Sequence, residues 1–174
     1  MGKFGERNGE LIMEAWPDED ERNAFFDKLD DYFTMEHSDE IYATMPNAKP
    51  LGDTDKELVW LVRKSHFAYP KDGSQKEFMD TFTEYTQNVF HKNDVIKAYY
   101  PMAHAWGSDK TEFVEAFAVE SLGDFDEMFK RNNELFEAHW DTDEKKEAMN
   151  KKGSKYFTGV HGDFIYSSIP ELRK

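Results

Sequence analysis

His104 stands two residues before Trp106 and two after Met102, with Tyr100 two further back, in the run KAYYPMAHAW (Lys97–Trp106). Residues two apart on a strand share a face, so an extended chain here sets imidazole, indole, thioether and phenol side by side. The chain has six histidines, the only side chains whose unperturbed pKa puts a charge change near neutral pH. His66 lies at the polar end of ELVWLVRKSHFAY (Glu57–Tyr69), on the face shared by Leu58, Trp60, Val62 and Lys64. Glu115 and Phe117 belong to EFVEAFAVE (Glu112–Glu120), joined to the His104 run by the turn Gly107–Lys110, and are expected near the His104 row. A histidine with a carboxylate and a tyrosine among aromatic walls suits general acid–base work on a small organic molecule. The expected catalytic groups are His104, His66 and Glu115. Trp60, Tyr100, Trp106 and Phe117 are the expected substrate-binding walls. The competing reading makes His104 a hydrogen-bonded wall residue with no chemistry.

Other arrangements are weaker. His66, His104 and Glu115 have the right types for a metal, but no HExxH-like spacing supports one, and no metal is expected. Haem through His104 or His139 has only a single histidine behind it. His37-x-Asp39 and His161-x-Asp163 recur as a pair, which favours a turn-shaping role for the aspartates over two separate sites. Trp16 and Trp140 read as packing anchors. The acidic runs Asp18–Glu21 and Asp141–Glu144 suit helix starts and lack the calcium-loop spacing. There is no phosphate loop, dinucleotide fingerprint or GxSxG elbow. Without cysteine, thiolate chemistry and disulfides are excluded.

A chain of 174 residues with 39% hydrophobic and 16% aromatic content has enough apolar side chains for a core of one domain, or of two small ones. Its net charge of −14 repels phosphate backbones and anionic membrane surfaces, so neither nucleic acid nor membrane is an expected partner. No apolar run approaches the ~18 residues of a membrane span, and the N-terminus has no signal-peptide core. The default location is cytoplasmic.

The elements that must position these residues follow in order. Helices are expected over Phe4–Trp16 and Asp18–Tyr32, then a short strand over Glu40–Met45. NAKPLGDTDK (Asn47–Lys56) reads as a linker. Strand Glu57–Tyr69 leads through Pro70–Gly73 to a helix opened by the capping box of Ser74 and Glu77 and ending near His91. The hairpin Lys97–Trp106 and Glu112–Glu120 follows. Ser121 and Asp124 are cap candidates for a helix carrying Phe125, Met128, Phe129, Leu135 and Phe136. A further helix over Asp141–Tyr156, with Gly153 near its stop, precedes a last strand over His161–Ser168.

Part of this pattern occurs twice. Phe4–Pro46 aligns without a gap on Met128–Pro170, 124 positions on, with fifteen of 43 positions identical. These include Arg7/Arg131, Asn8/Asn132, Trp16/Trp140, His37/His161 and Tyr42/Tyr166. The expected organisation is a partial repeat unit over 1–46, a linker over 47–56 and a complete unit over 57–174. The first copy is an orphan helix–strand tail whose strand completes a sheet edge, on its own chain or on a partner.

From Leu58 to Ser168 the order is strand, helix, strand, strand, helix, strand, a ferredoxin-like βαββαβ unit within an α+β class. The run YYPMAHAWGSDKTEFVEAFAVESLGD (Tyr99–Asp124), the long helix after it and the closing YFTG…DFIYSSIP resemble the dimeric α+β barrel superfamily. That resemblance implies two sheets packed face to face with helices outside, and hence a homodimer. It implies a small-molecule enzyme of oxygenase, isomerase or lyase-like type, with a pocket inside the barrel for a small apolar or aromatic ligand and no bound cofactor. The alternative it leaves is a non-catalytic ligand-binding or stress-related barrel. It carries over no catalytic residue.

Overall fold

The computed structural model describes residues 2–33 and 36–172. The chain forms two compact units, Met1–Asp39 and Glu40–Lys174. The first holds α1 (Gly2–Ala15) and α2 (Glu19–Asp30), with Asp18 capping α2 by accepting from the Glu21 N–H. Trp16 stacks on Phe25 at 4.5 Å and meets Phe26 edge-on at 5.9 Å.

The second unit is α+β. Its strands are β1 (Ile41–Thr44), β2 (Val59–Phe67), β3 (Ala98–Trp106), β4 (Glu112–Val119) and β5 (Phe157–Ser167). They form one antiparallel sheet in the order β1-β3-β4-β2-β5. Its helices are α3 (Gln75–Tyr85), α4 (Asp124–His139) and α5 (Asp143–Ser154). The expected Ser74 cap is in place, accepting from the Glu77 N–H. α3 runs on through a π-helical turn, Thr86–Phe90, and the Thr86 hydroxyl donates back to the Phe82 and Thr83 carbonyls. Gly123 occupies the α4 cap, and Asp124 accepts from the Ser121 N–H at 2.8 Å.

The orphan strand is settled on its own chain. β1 pairs antiparallel with β3, and the ladder is prolonged by a bridge between Lys49 and Tyr99. The boundary between units therefore falls before β1 rather than after Pro46. The 47–56 segment is tied to the sheet: Leu51 N–H donates to the Tyr100 hydroxyl at 3.0 Å. α2 and α5 occupy corresponding residues 124 apart, and each is capped by a side-chain oxygen one residue before its start. β5 starts at Phe157, earlier than expected, because its first residues find partners on β2 down to Phe67.

The pleat sorts the sheet into two faces. One carries Leu61, Tyr99, Phe117 and Val119, buried with Ile96, Phe125 and Met128 beneath the helices. Trp140 seals a neighbouring cluster with Val89 and Met149 and stacks on Tyr85 at 6.0 Å. The other face carries Trp60, Lys64, His66, Tyr100, His104 and Tyr166. At one end it is covered by Leu51 and Leu58, which pack with Ala98, Ala118, Trp60 and Tyr100.

Asp163 serves the helix face. Arg63 grips its two carboxylate oxygens at 2.8 and 2.9 Å, while His161 Nε2 stands 3.9 Å away. The guanidinium holds the Asp163 carboxyl below its ordinary range. A depressed carboxylate adds stability above its unfolded pKa and loses it as pH falls through the folded value. Both partners are about one third exposed, so screening limits the pair to at most about 1 kcal/mol. Asp163→Asn is expected to flatten the acid limb of a Tm-against-pH curve below about pH 4 and to leave the curve above pH 6 parallel to the parent's.

Candidate functional site

The open face has an aromatic floor and a polar end. On the floor, Trp60 and Tyr100 stack with centroids 6.0 Å apart. Tyr166 lies opposite Trp60 on β5, and Phe164 opposite Val62. The floor is open on its β5 side, where Tyr166 is 55% exposed. Trp106, at the tip of β3, is 54% exposed and leaves the row of walls as a surface residue.

The polar end is built from four strands and the β3–β4 turn. Tyr42 lies opposite His104, and its ring reaches across β3 so that its hydroxyl donates to the Glu112 carboxylate on β4. Lys64 on β2 donates to the same hydroxyl at 3.1 Å and stands 3.7 Å from Glu112. Its ammonium also lies 5.5 Å from the Tyr42 ring centroid. Burial, then the bond to Glu112, raises the Tyr42 phenol above its usual range, with Lys64 opposing. The bond to Tyr42 raises the Lys64 ammonium, opposed by burial. His66 Nε2 is 3.3 Å from Asp109. Thr111 donates to Asp109 from its hydroxyl and its N–H and holds that carboxyl down, with His66 and His104 adding smaller effects. Glu40 accepts from the Ser108 hydroxyl at 2.7 Å, which keeps its carboxyl low.

Among the described residues, Nε2 of His104 and Oε2 of Glu40 at this end are buried without a hydrogen-bond partner. Buried polar atoms are nearly always bonded, to protein or to water, so each is a point at which a water or a ligand atom can bond. The arrangement is a tyrosine held between a lysine and a carboxylate, with two histidines near, above an aromatic surface. It can hold a proton at the Tyr42 oxygen and offer one at His104.

Of the seven residues singled out from sequence, the structure groups four on this face, Trp60, His66, Tyr100 and His104, while Trp106 stands exposed at the tip of β3. Glu115 and Phe117 lie on the helix face. Phe117 is opposite Tyr99 and buried in the core, and Glu115 accepts from the Tyr99 hydroxyl at 2.6 Å. The odd-numbered residues of β4 point away from the even-numbered ones of β3, and the five-residue connection sets that register. A cluster of His66, His104 and Glu115 is thereby ruled out by geometry, and among the described residues no three His, Asp or Glu converge as metal ligands. His139 pairs with Glu84 at 3.4 Å at the end of α4, and its ring lies against Trp140. Sequence reasoning missed Glu40, Tyr42 and Glu112. Tyr42 carried a signal, since it is identical in both copies of the repeat; Glu112 carried its parity with Val114, Ala116 and Ala118.

The second unit is an α+β fold with helices packed on one face of a five-stranded antiparallel sheet and an aromatic and titratable row on the other. A solved structure similar to this chain is a NipSnap family protein with unknown function from Agrobacterium tumefaciens str. C58. The likeness covers 64% of this chain and 87% of that one, at 13% identity and a TM-score of 0.42. No family model and no curated protein matches the sequence. Among the described residues no helix is long and apolar enough to cross a membrane.

Proposed function

We infer that this protein is a small-molecule enzyme of the dimeric α+β barrel type, whose pocket forms over the open sheet face. The strand order β3-β4-β2-β5 with crossovers through α3 and through α4 and α5 supports a ferredoxin-like unit. β1 extends that sheet by one strand. In this reading a second copy closes the barrel, covering Phe164 and Tyr166, and the chain is a homodimer. The ligand is a small aromatic or apolar compound lying on Trp60, Tyr100 and Tyr166, with one polar atom bonded to His104. Tyr42, tuned by Lys64 and Glu112, and His104 exchange protons with it. The observation that carries the reading is the buried, partnerless Nε2 of His104 at the edge of an aromatic floor.

A non-catalytic binding protein is the second reading, favoured by the Trp60–Tyr100 stack, which would hold a flat ligand by contact alone. The test is titration with 1-naphthol, followed by amide and aromatic NMR. Saturable shifts at Trp60, Tyr100 and His104 are expected. Trp60→Ala should weaken binding about tenfold, and His104→Ala should remove any turnover of a bound substrate while leaving the fold intact. Shifts that never involve the open face would overturn the reading. Light scattering that gives a monomer mass at micromolar concentration would overturn the closed barrel.

A further inference from the structure

The helix side of the sheet holds a separate opening. Two adjoining cavities, of about 450 and 490 Å³, lie over the sheet and share Tyr85, Phe90, Glu115 and Asn150 in their walls. The first is floored by phenylalanines, among them Phe78, Phe82 and Phe157; the second adds Arg63, Asn132 and Lys146. Glu115 sits where they meet. One of its oxygens accepts from Tyr99, and the other takes no donor among the described residues. The Tyr85 hydroxyl has no hydrogen-bond partner there either. Arg63, in the wall of the second cavity, is committed to Asp163.

We propose that this cleft is a second binding site, which takes a small aromatic amine: the ring enters the phenylalanine-lined cavity and the ammonium bonds to Glu115 and Tyr85. Three features select that chemistry. The wall is aromatic, so a flat apolar body gains contact area. A cation bonded to a carboxylate forms the stronger, charge-assisted kind of hydrogen bond. The chain's net charge of −14 draws cations and repels carboxylates of the same shape. Burial raises the Glu115 carboxyl, partly offset by Tyr99 and Arg63, and pushes the Tyr85 phenol up to about 12. An ammonium would relieve the first of these by supplying the missing opposite charge. None of these groups belongs to the open face.

The test uses the full chain and three isosteric probes, 2-phenylethylamine, 2-phenylethanol and phenylacetate, each followed by NMR shifts of Asn150, Tyr85 and Phe90. On the parent protein the amine should bind at least about tenfold more tightly than the alcohol, and phenylacetate should not saturate. Glu115→Gln should erase the amine's advantage and leave the alcohol's affinity within about twofold. Equal affinity for amine and alcohol on the parent protein would overturn the proposal, whether or not Glu115→Gln folds. So would shifts from the amine confined to Trp60, Tyr100 and Tyr166.

Discussion

Phe117→Ala is expected to lower the free energy of unfolding by about 3–5 kcal/mol, the range for deleting a buried aromatic ring. Phe117 is only 6% exposed and packs between Tyr99 and Phe90, with centroids 4.8 and 5.0 Å away. Each of those rings touches the other, so removing the middle one leaves a void that the sheet and the π-helical turn cannot close without shifting β4 or the turn. Denaturant titration should show a lower midpoint at unchanged slope. Trp106→Ala supplies the contrast, since more than half of that side chain is exposed. Its effect should stay within about 0.5 kcal/mol. If the two losses come out equal, the assignment of Phe117 to the core and Trp106 to the surface is wrong.

Asn93→Ala is the second large effect, about 3 kcal/mol. Asn93 is fully buried before β3. Its amide donates to the Met128 carbonyl at 3.0 Å and to the Asn132 side-chain oxygen at 2.8 Å, while its own side-chain oxygen accepts from the Val95 N–H at 2.9 Å. Truncation removes three bonds at once, those to the Met128 carbonyl, to the half-buried Asn132 side chain and from the Val95 N–H. Asn93→Asp has the same shape but faces two acceptors with no N–H, and adds a charge there. It should therefore cost more than Asn93→Ala, an order that a size argument alone would reverse. Thermal unfolding of the three proteins at pH 7 decides it. Asn132 is matched by Asn8 in the repeat.

Local pattern carried much of this molecule. Alternation in Val59–Phe67, Ala98–Trp106 and Glu112–Val119 marked three strands within about two residues of their ends, since a half-buried strand must sort its side chains by parity. The capping box at Ser74 and Glu77 located α3 because those oxygens satisfy helix N–H groups whatever else the chain does. The same parity already put Glu115 and Phe117 on one face of β4 and Ala116 and Ala118 on the other. It did not say which of these faces His104 shares.

That was decided by register, and register depends on how β3 returns through Gly107–Thr111 into β4. The candidate site shows the same division. His66, Trp60, Tyr100 and His104 were legible as an aromatic and titratable row, because each strand's parity groups its own residues. Glu40, Tyr42, Lys64 and Glu112 come from separate segments, and only the cis docking of β1 on β3 lets the Tyr42 hydroxyl meet Lys64 and Glu112. The elements, and the residues that share a face of each strand, were readable locally, because they follow from hydrogen bonding and burial over a few neighbouring residues. The order of the strands, the separation of Glu115 from His104 and the two cavities under the helices belong to the tertiary structure alone, because they depend on contacts between segments up to about a hundred residues apart.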